Sequence, residues 1–256
     1  MSSQIVMRIE DGIATISIRR PEVLNALSKD LIDEMDIMLD EIKANPEVRV
    51  LVFYSEKNFA AGADIKEMSV CDPAGAKAFV FSSTYNKIEA LGIPSIAVID
   101  GYAFGGGLEL ALTCDLRIAS KKATLGLTEL NLGIIPGAGG TVRLPRLVGE
   151  AKAKEMIFMS RTVSGEEAKQ IGLVNAAVEP EELLETGAKW AEKLKTRSAV
   201  ALRAAKESIE NGIRDTDYVT AIDREAEIWA SLFDSYDQKE GMAAFIEKRK
   251  PKFQNR

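Results

Sequence analysis

The chain has no histidine among its 256 residues. That absence removes Ser-His-Asp and Cys-His machinery and every histidine-ligated zinc site, so acid-base chemistry falls to Glu, Asp, Lys or Tyr. Cysteine is almost as scarce. Cys71 and Cys114 are the only two and form no C-x-x-C pair, which reads as two reduced thiols rather than a disulfide or metal site and fits a reducing compartment. No stretch reaches the roughly 18 consecutive apolar residues of a membrane span, and the N-terminal "MSSQIVMRIEDG" lacks the basic-then-apolar order of a signal peptide. Positive charge is also in deficit, with 33 Lys and Arg against 39 Asp and Glu. The resulting net charge of -6 gives nucleic acid and anionic membranes no general electrostatic reason to bind. The expectation is a cytoplasmic protein with no membrane or nucleic-acid partner, no metal and no histidine chemistry.

What is present is ordinary globular composition, 46% hydrophobic and 28% charged, with length for one large domain or a domain with an appendage. Short apolar runs at 13–18, 48–54, 93–100, 123–127 and 172–178 read as strands. Between the first two, Leu31, Met35, Leu39 and Ile42 share one helical face behind Ser28 as N-cap. Further helical patterns lie near 149–160 and 164–171, so the class is α/β. Beyond 181 strands vanish, and 181–195, 198–211, 215–234 and 237–248 are all helix-compatible. These patterns predict a core over 1–195 that carries the functional site, and a helical region over 196–256.

Three glycine-rich turns carry the chemistry. In "FAAGADIKEM" (59–68), small residues at 60–63 let a ligand approach the backbone and leave the Ala63 amide free to donate. In "GYAFGGGLELALTCD" (101–115), Gly105 to Gly107 open a helix whose first-turn amides, Gly106 above all, have no internal partner. Glu109 stands in this helix among Leu108, Leu110, Ala111 and Leu112, where a carboxylate needs either a partner or a function. The third turn, "LGLTELNLGIIPGAGGTVRLPRLVG" (125–149), isolates Glu129 among Leu and Ile side chains before a proline and glycine turn at 136–140. Each motif has a plain structural reading: a strand-to-helix turn, a glutamate that stabilises its helix start, or a buried glutamate paired with Arg143 or Arg146. Neither dinucleotide nor P-loop spacing is present. Taken together, two carboxylates beside backbone donors form a kit for moving protons next to a carbonyl.

In order and separation, these three motifs resemble the enoyl-CoA hydratase (crotonase) family, from "RPEVLNAL" at 20–27 to "EGMAAFIEKRKPKF" at 240–253. The resemblance implies an α/β fold that is a crotonase-like spiral of β-β-α units with a C-terminal helical trimerisation region, assembled as trimers or as a homohexamer of paired trimers. It implies Glu109 and Glu129 as the catalytic acids and bases, and Ala63 and Gly106 as the oxyanion-hole amides. It also implies Lys57, Ala60, Ala61, Asp64, Ile65, Lys66 and Lys248 as coenzyme A contacts, and Phe253 as reaching toward the same pocket. Coenzyme A enters as part of an acyl-CoA thioester substrate, so no separate cofactor is expected.

The implied reaction is reversible addition of water across the 2,3 double bond of a short-chain or branched 2-enoyl-CoA, as in the β-oxidation of fatty acids. One departure widens the choice. Many short-chain hydratases of this family have proline immediately before the second glutamate, where this chain has Thr128. With "AKEMIF" and "SGEEAKQIGLVN", that variant also resembles the methylglutaconyl-CoA hydratase branch. The alternatives are therefore a methylglutaconyl-CoA or cyclic dienoyl-CoA hydratase, an enoyl-CoA isomerase that needs only one carboxylate, and a non-catalytic CoA-thioester or RNA-binding protein.

Overall fold

The structure, a computed structural model, describes residues 4–79 and 81–256. The chain forms two compact units, one holding the segment up to Leu91 together with Ser95–Ala191, the other Gly92–Pro94 with Glu192–Arg256. The second unit thus begins inside a helix rather than at 196, and it takes in a short loop that the sequence pattern assigns to a strand. Lys206 Nζ donates to the Ile93 carbonyl at 3.3 Å, and Arg203 lies against Gly92. With its first residues engaged there and Pro94 lacking an N–H, the expected strand at 93–100 starts only at Ser95.

The first unit contains strands β1 (Ile5–Glu10), β2 (Ile13–Ile18), β3 (Val50–Tyr54), β4 (Ser95–Ile99), β5 (Tyr102–Phe104), β6 (Leu116–Ser120), β7 (Thr124–Gly126), β8 (Val163–Ser164) and β9 (Ala176–Val178). Its helices are α1 (Lys29–Ala44), α2 (Ile65–Met68), α3 (Pro73–Phe79), α4 (Ser82–Ala90), α5 (Gly106–Thr113), α6 (Gly140–Val148), α7 (Glu150–Phe158), α8 (Gly165–Gln170) and most of α9 (Leu183–Lys195). The large sheet runs β1-β2-β3-β4-β6-β9, parallel except for the β1-β2 hairpin. Its central strands β3 and β4 are buried along almost their whole length, which is why they appear as unbroken apolar runs. Helix α1 follows the predicted face: Ser28 accepts from the Leu31 amide, and Leu31, Met35, Leu39 and Ile42 are buried.

The smaller sheet explains the architecture. Leu27 bridges Ala63, Ala60 bridges Ala103 of β5, β5 pairs with β7, and β7 pairs with β8. After β2, β3, β4 and β6 in turn, the chain therefore adds one short extended piece to this second layer and returns toward the large sheet. That is a spiral of β-β-α turns. Its consequence is that the segments following the second-layer pieces, at 60–63, 105–107 and 127–129, come from successive turns and stack beside one another.

Some elements were hidden from the pattern. The expected strand at 172–178 is strand only over β9, because Gly172 is left-handed at φ 80° and Leu173 and Val174 donate back to Ala168 at the end of α8. In β6 the buried Arg117 interrupts the apolar run, its guanidinium donating to the carbonyls of Leu173 and Cys114. In β1 only Ile5 is buried, so nothing in its sequence alternates; the left-handed Asp11-Gly12 turn that closes its hairpin is the surviving signal.

The second unit holds the end of α9 and helices α10 (Ala199–Arg214), α11 (Tyr218–Ser231) and α12 (Tyr236–Ile246). Ser198, Asp217 and Ser235 cap the last three through their side chains. Buried Asp237 ties the chain end to α12 by accepting from the amides of Gln254 (2.6 Å) and Asn255 (3.0 Å). Neither α10 nor α11 has a buried residue, and Tyr218 (79% exposed) and Trp229 (61%) stand out from α11.

Close contact between turns of the spiral depends on glycine. A Cβ on Gly107 would lie 2.2 Å from the backbone oxygen of Ala60, far inside van der Waals contact, so α5 sits directly on the preceding turn. Gly107→Ala is expected to lower unfolding stability by about 1–3 kcal/mol through overpacking. Urea denaturation checks this, and an unchanged midpoint would show that α5 does not pack this tightly.

Candidate active site

The site begins with backbone geometry. Gly105 has φ 49° and ψ −126°, a combination that turns the chain sharply from β5 into α5. Its own amide is spent on Gly126, whereas that of Gly106 meets no acceptor among the described residues. The Ala63 amide is equally free. The two segments are close, since a Cβ on Gly62 would lie 3.9 Å from Gly106 N and one on Gly105 would lie 3.9 Å from Gly62 Cα. Neighbouring groups hold both in place. Tyr85 of α4 donates its hydroxyl to the Gly106 carbonyl at 2.8 Å. Beside Ala63, Asp64 caps α2 and pairs with Arg20 at 3.1 Å.

Glu109 projects from the first turn of α5 and is only 3% exposed. The sequence pattern pointed to the helix start as its support. The structure adds a more direct one: Oε1 accepts from the amides of Ala138 (2.8 Å) and Gly140 (2.7 Å) in the 136–140 turn. Gly139, at φ 108°, lets both amides face one oxygen. Burial pushes the Glu109 carboxyl above the usual carboxylate range, and these two amides and the charge on Arg143 hold it back.

Glu129 opens a short 3-10 turn over Glu129–Leu132, directly after β7. It is 9% exposed, and its Oε2 has no hydrogen-bond partner among the described residues. Neither Arg143 nor Arg146 pairs with it. Arg143 binds Glu89, Asn86 and the Ala138 carbonyl, and Arg146 binds the Val142 carbonyl. Burial and the neighbouring charge of Glu109 push the Glu129 carboxyl up to about 7, against the lowering effect of its own backbone amide.

A cleft of about 550 Å³ brings these groups together, with Ala61, Gly62, Ala63, Ile65, Gly105, Gly106, Glu109 and Glu129 in its wall. Thr128 lies beside Glu129, and Met68, Phe79, Phe81, Leu132 and Ile135 make the rest largely apolar. Of the residues proposed from sequence, Lys57, Ala60, Asp64 and Lys66 do not line it. Ala60 is fully buried with its N–H on Tyr102 and its carbonyl accepting from Phe104, so it supports the wall from behind. Lys57 is exposed at a left-handed φ of 67°, and Lys66 is exposed on α2. Lys248 is exposed in the second unit just beyond α12, and Phe253, in the same unit, lies half-buried against Gly241. The backbone donors at 138 and 140 and the hydroxyl of Tyr85 were missed. Only the "PGAGG" turn hinted at the donors, because amide direction is not written in residue type.

Chemically, two free amides can hold a carbonyl oxygen as charge develops on it, beside two buried carboxyl groups whose titration burial pushes up, Glu129 to about 7 and Glu109 against the opposing pull of two amides and Arg143. Residues 8–256 match the family described as enoyl-CoA hydratase/isomerase. The chain is 41% identical to a short-chain-enoyl-CoA hydratase of Clostridium acetobutylicum over 99% of both chains. It is 40% identical to a crotonyl-CoA hydratase of Syntrophomonas wolfei over 97% of both. A crystal structure of an enoyl-CoA hydratase from Bacillus anthracis superposes with a TM-score of 0.95 at 40% identity, covering 99% of this chain and 100% of that one. The match along nearly its whole length, on a spiral whose successive turns converge on two free amides and two buried carboxylates, places this chain in the enoyl-CoA hydratase/isomerase family, with the crotonase fold.

Proposed function

We propose that the protein is an enoyl-CoA hydratase that adds water reversibly across the 2,3 double bond of a short-chain or branched, uncharged 2-enoyl-CoA thioester. The observation that carries this is the pairing on one cleft of two buried, unequally hydrogen-bonded carboxylates with two amides that meet no acceptor among the described residues. The thioester oxygen sits between Ala63 N and Gly106 N and draws electrons from the double bond. Glu109, with Oε1 held by two amides, uses its other oxygen to take a proton from water as the water attacks Cβ. Charge builds on the thioester oxygen, and protonated Glu129 delivers its proton to Cα. Proton exchange with solvent then restores the pair, which titrates as a coupled unit.

Two carboxylates favour hydration over isomerisation, which needs one. The cleft wall contains no Lys or Arg among the described residues, so the distal carboxylate of a 3-methylglutaconyl group finds no counter-charge there; an uncharged acyl group is favoured despite Thr128. Coenzyme A enters as part of the substrate, with no separate cofactor, and Lys57, Lys66 and Lys248 are the proposed contacts to its phosphates. Two cysteines outside any disulfide accord with a cytoplasmic role in β-oxidation. No helix among the described residues is long and apolar enough to cross a membrane.

Glu109→Gln and Glu129→Gln should each lower turnover of crotonyl-CoA by roughly 10²- to 10⁴-fold, with a double variant little worse than the poorer single one. Loss of the enoyl-thioester ultraviolet absorbance reads this out, with 3-methylglutaconyl-CoA and a cyclic dienoyl-CoA as competing substrates. Near-normal hydration by either folded variant would sink the mechanism.

The raised Glu129 also predicts how stability depends on pH. Between the ordinary glutamate range and about 7, the folded chain keeps a proton that the unfolded chain releases, so stability falls as pH rises through that window. Glu129→Gln should therefore melt above wild type at pH 8, by up to about 3 kcal/mol, and lose most of that advantage at pH 5. Equal differences at both pH values would show that Glu129 titrates normally.

For assembly we propose trimers, singly or in pairs, built through α10 and α11, which expose Ile209, Ile213, Tyr218, Val219 and Trp229. Light scattering across dilution should give multiples of three times 27.9 kDa. A fully active species of monomer mass would overturn this.

A further inference from the structure

Arg143 of α6 lies outside the cleft wall, yet everything it touches leads to Glu109. Its Nη1 donates to the Ala138 carbonyl at 2.9 Å, while the N–H of the same residue donates to Glu109 Oε1 at 2.8 Å. The guanidinium and the carboxylate therefore both bind the backbone of the 138–140 turn, one at a carbonyl and the other at two amides. A Cβ on Gly139 would lie 1.9 Å from Arg143 Nη1, and one on Gly140 would lie 3.0 Å from Glu109 Oε1, so both partners press directly on the backbone. The other guanidinium nitrogens are anchored on α4, Nε to Glu89 at 2.7 Å and Nη2 to Asn86 at 2.9 Å. The same helix supplies Tyr85 to the Gly106 carbonyl. One helix thus holds Gly106 through its carbonyl and the carboxylate turn through Arg143.

We propose that Arg143, held by Glu89 and Asn86, is a positioning residue for the reaction: it fixes the Ala138 and Gly140 amides on Glu109 and so sets both the aim and the charge of that carboxylate. This rests on the reading of Glu109 as the base. The titratable groups facing Glu109 are Glu129 after β7, Tyr85 on α4 and Arg143 on α6, while Cys114 at the end of α5 acts on Tyr85. Arg143 is the one cation among them. It favours the ionised form together with the two amides, against burial. Removing it leaves Glu109 harder to ionise, so the form able to accept a proton from water disappears at a higher pH.

The test is the pH profile of crotonyl-CoA hydration by Arg143→Met, Arg143→Lys and Glu89→Gln. In Arg143→Met the acid limb of kcat/KM should move up by about one pH unit, and kcat should fall at least about tenfold with KM little changed. Arg143→Lys keeps the charge but not the planar fork, so kcat should fall while the limb stays near its wild-type position. Glu89→Gln removes the charge that offsets the guanidinium, so the limb should move down. A folded Arg143→Met enzyme with lowered melting temperature but wild-type kcat and limb would reduce Arg143 to a structural tie and overturn the proposal. If Arg143→Met does not fold, an unmoved or raised limb in Glu89→Gln overturns it equally. A wild-type chain inactive on all enoyl-thioesters would instead sink the hydratase reading. The Glu109 carboxyl signal, assigned by its loss in Glu109→Gln and titrated by ¹³C NMR, then decides: an upward shift in Arg143→Met supports the role of Arg143, and no shift refutes it.

Discussion

Two carboxylic acids share one apolar cleft, and water that would solvate them has been replaced by leucine, isoleucine and phenylalanine side chains. Both cannot ionise there cheaply, because each charge loses solvation and raises the cost of the other. Much of the surrounding structure distributes that cost unevenly. Glu109 receives two backbone amides and a nearby guanidinium, whereas Glu129 is left with an oxygen that nothing among the described residues satisfies. The asymmetry gives two chemically identical side chains unlike surroundings: burial raises both, but two amides and Arg143 hold Glu109 back, whereas Glu129 reaches about 7. The burial that costs stability at Glu129 is also what brings its titration to about 7, near neutral pH.

Holding that asymmetry requires backbone groups from distant parts of the chain to arrive within hydrogen-bonding distance of one another. The spiral does this by repetition. Each turn ends its second-layer piece at the same level, so the loop at 60–63, the start of α5 and the segment leading to Glu129 are neighbours without any long-range loop being needed. Glycine at 105 and 107 brings the turns to backbone contact, and α4 braces the result from outside through Tyr85, Asn86 and Glu89. The loop at 60–63 and the 136–140 turn are tied down by hydrogen bonds to Leu27, Tyr102 and Glu109, so the dipoles of the site are fixed.

The helices after 191 follow a different logic. Their N-caps are well made and the chain end is fastened to Asp237, yet no residue of α10 or α11 is fully buried within the chain. Local capping and amphipathic spacing suffice to form such helices, but most helix stability in proteins comes from packing one face against something. The aromatic and aliphatic side chains of α11, Tyr218, Val219 and Trp229 among them, stay exposed within the chain.

Much of this protein was decided locally. The absence of histidine restricted the chemistry to carboxylates, the apolar periodicities located β2, β3, β4 and α1, and Glu109 and Glu129 stood out because a charge inside an apolar run has few innocent explanations. The glycine turns marked Ala63 and Gly106, since missing Cβ atoms and helix starts leave amides free. Other features could only be set by the tertiary structure. Whether Arg143 pairs with Glu129 or with Glu89 depends on where α4 lies, and no spacing in sequence encodes that. The Ala138 and Gly140 amides reach Glu109 across about thirty residues of chain through a backbone direction that any residue type could carry. Protonation is likewise a property of the assembled cleft: the same glutamate side chain is an ordinary acid in solution and one shifted to about 7 once folding removes its water and sets Glu109 beside it.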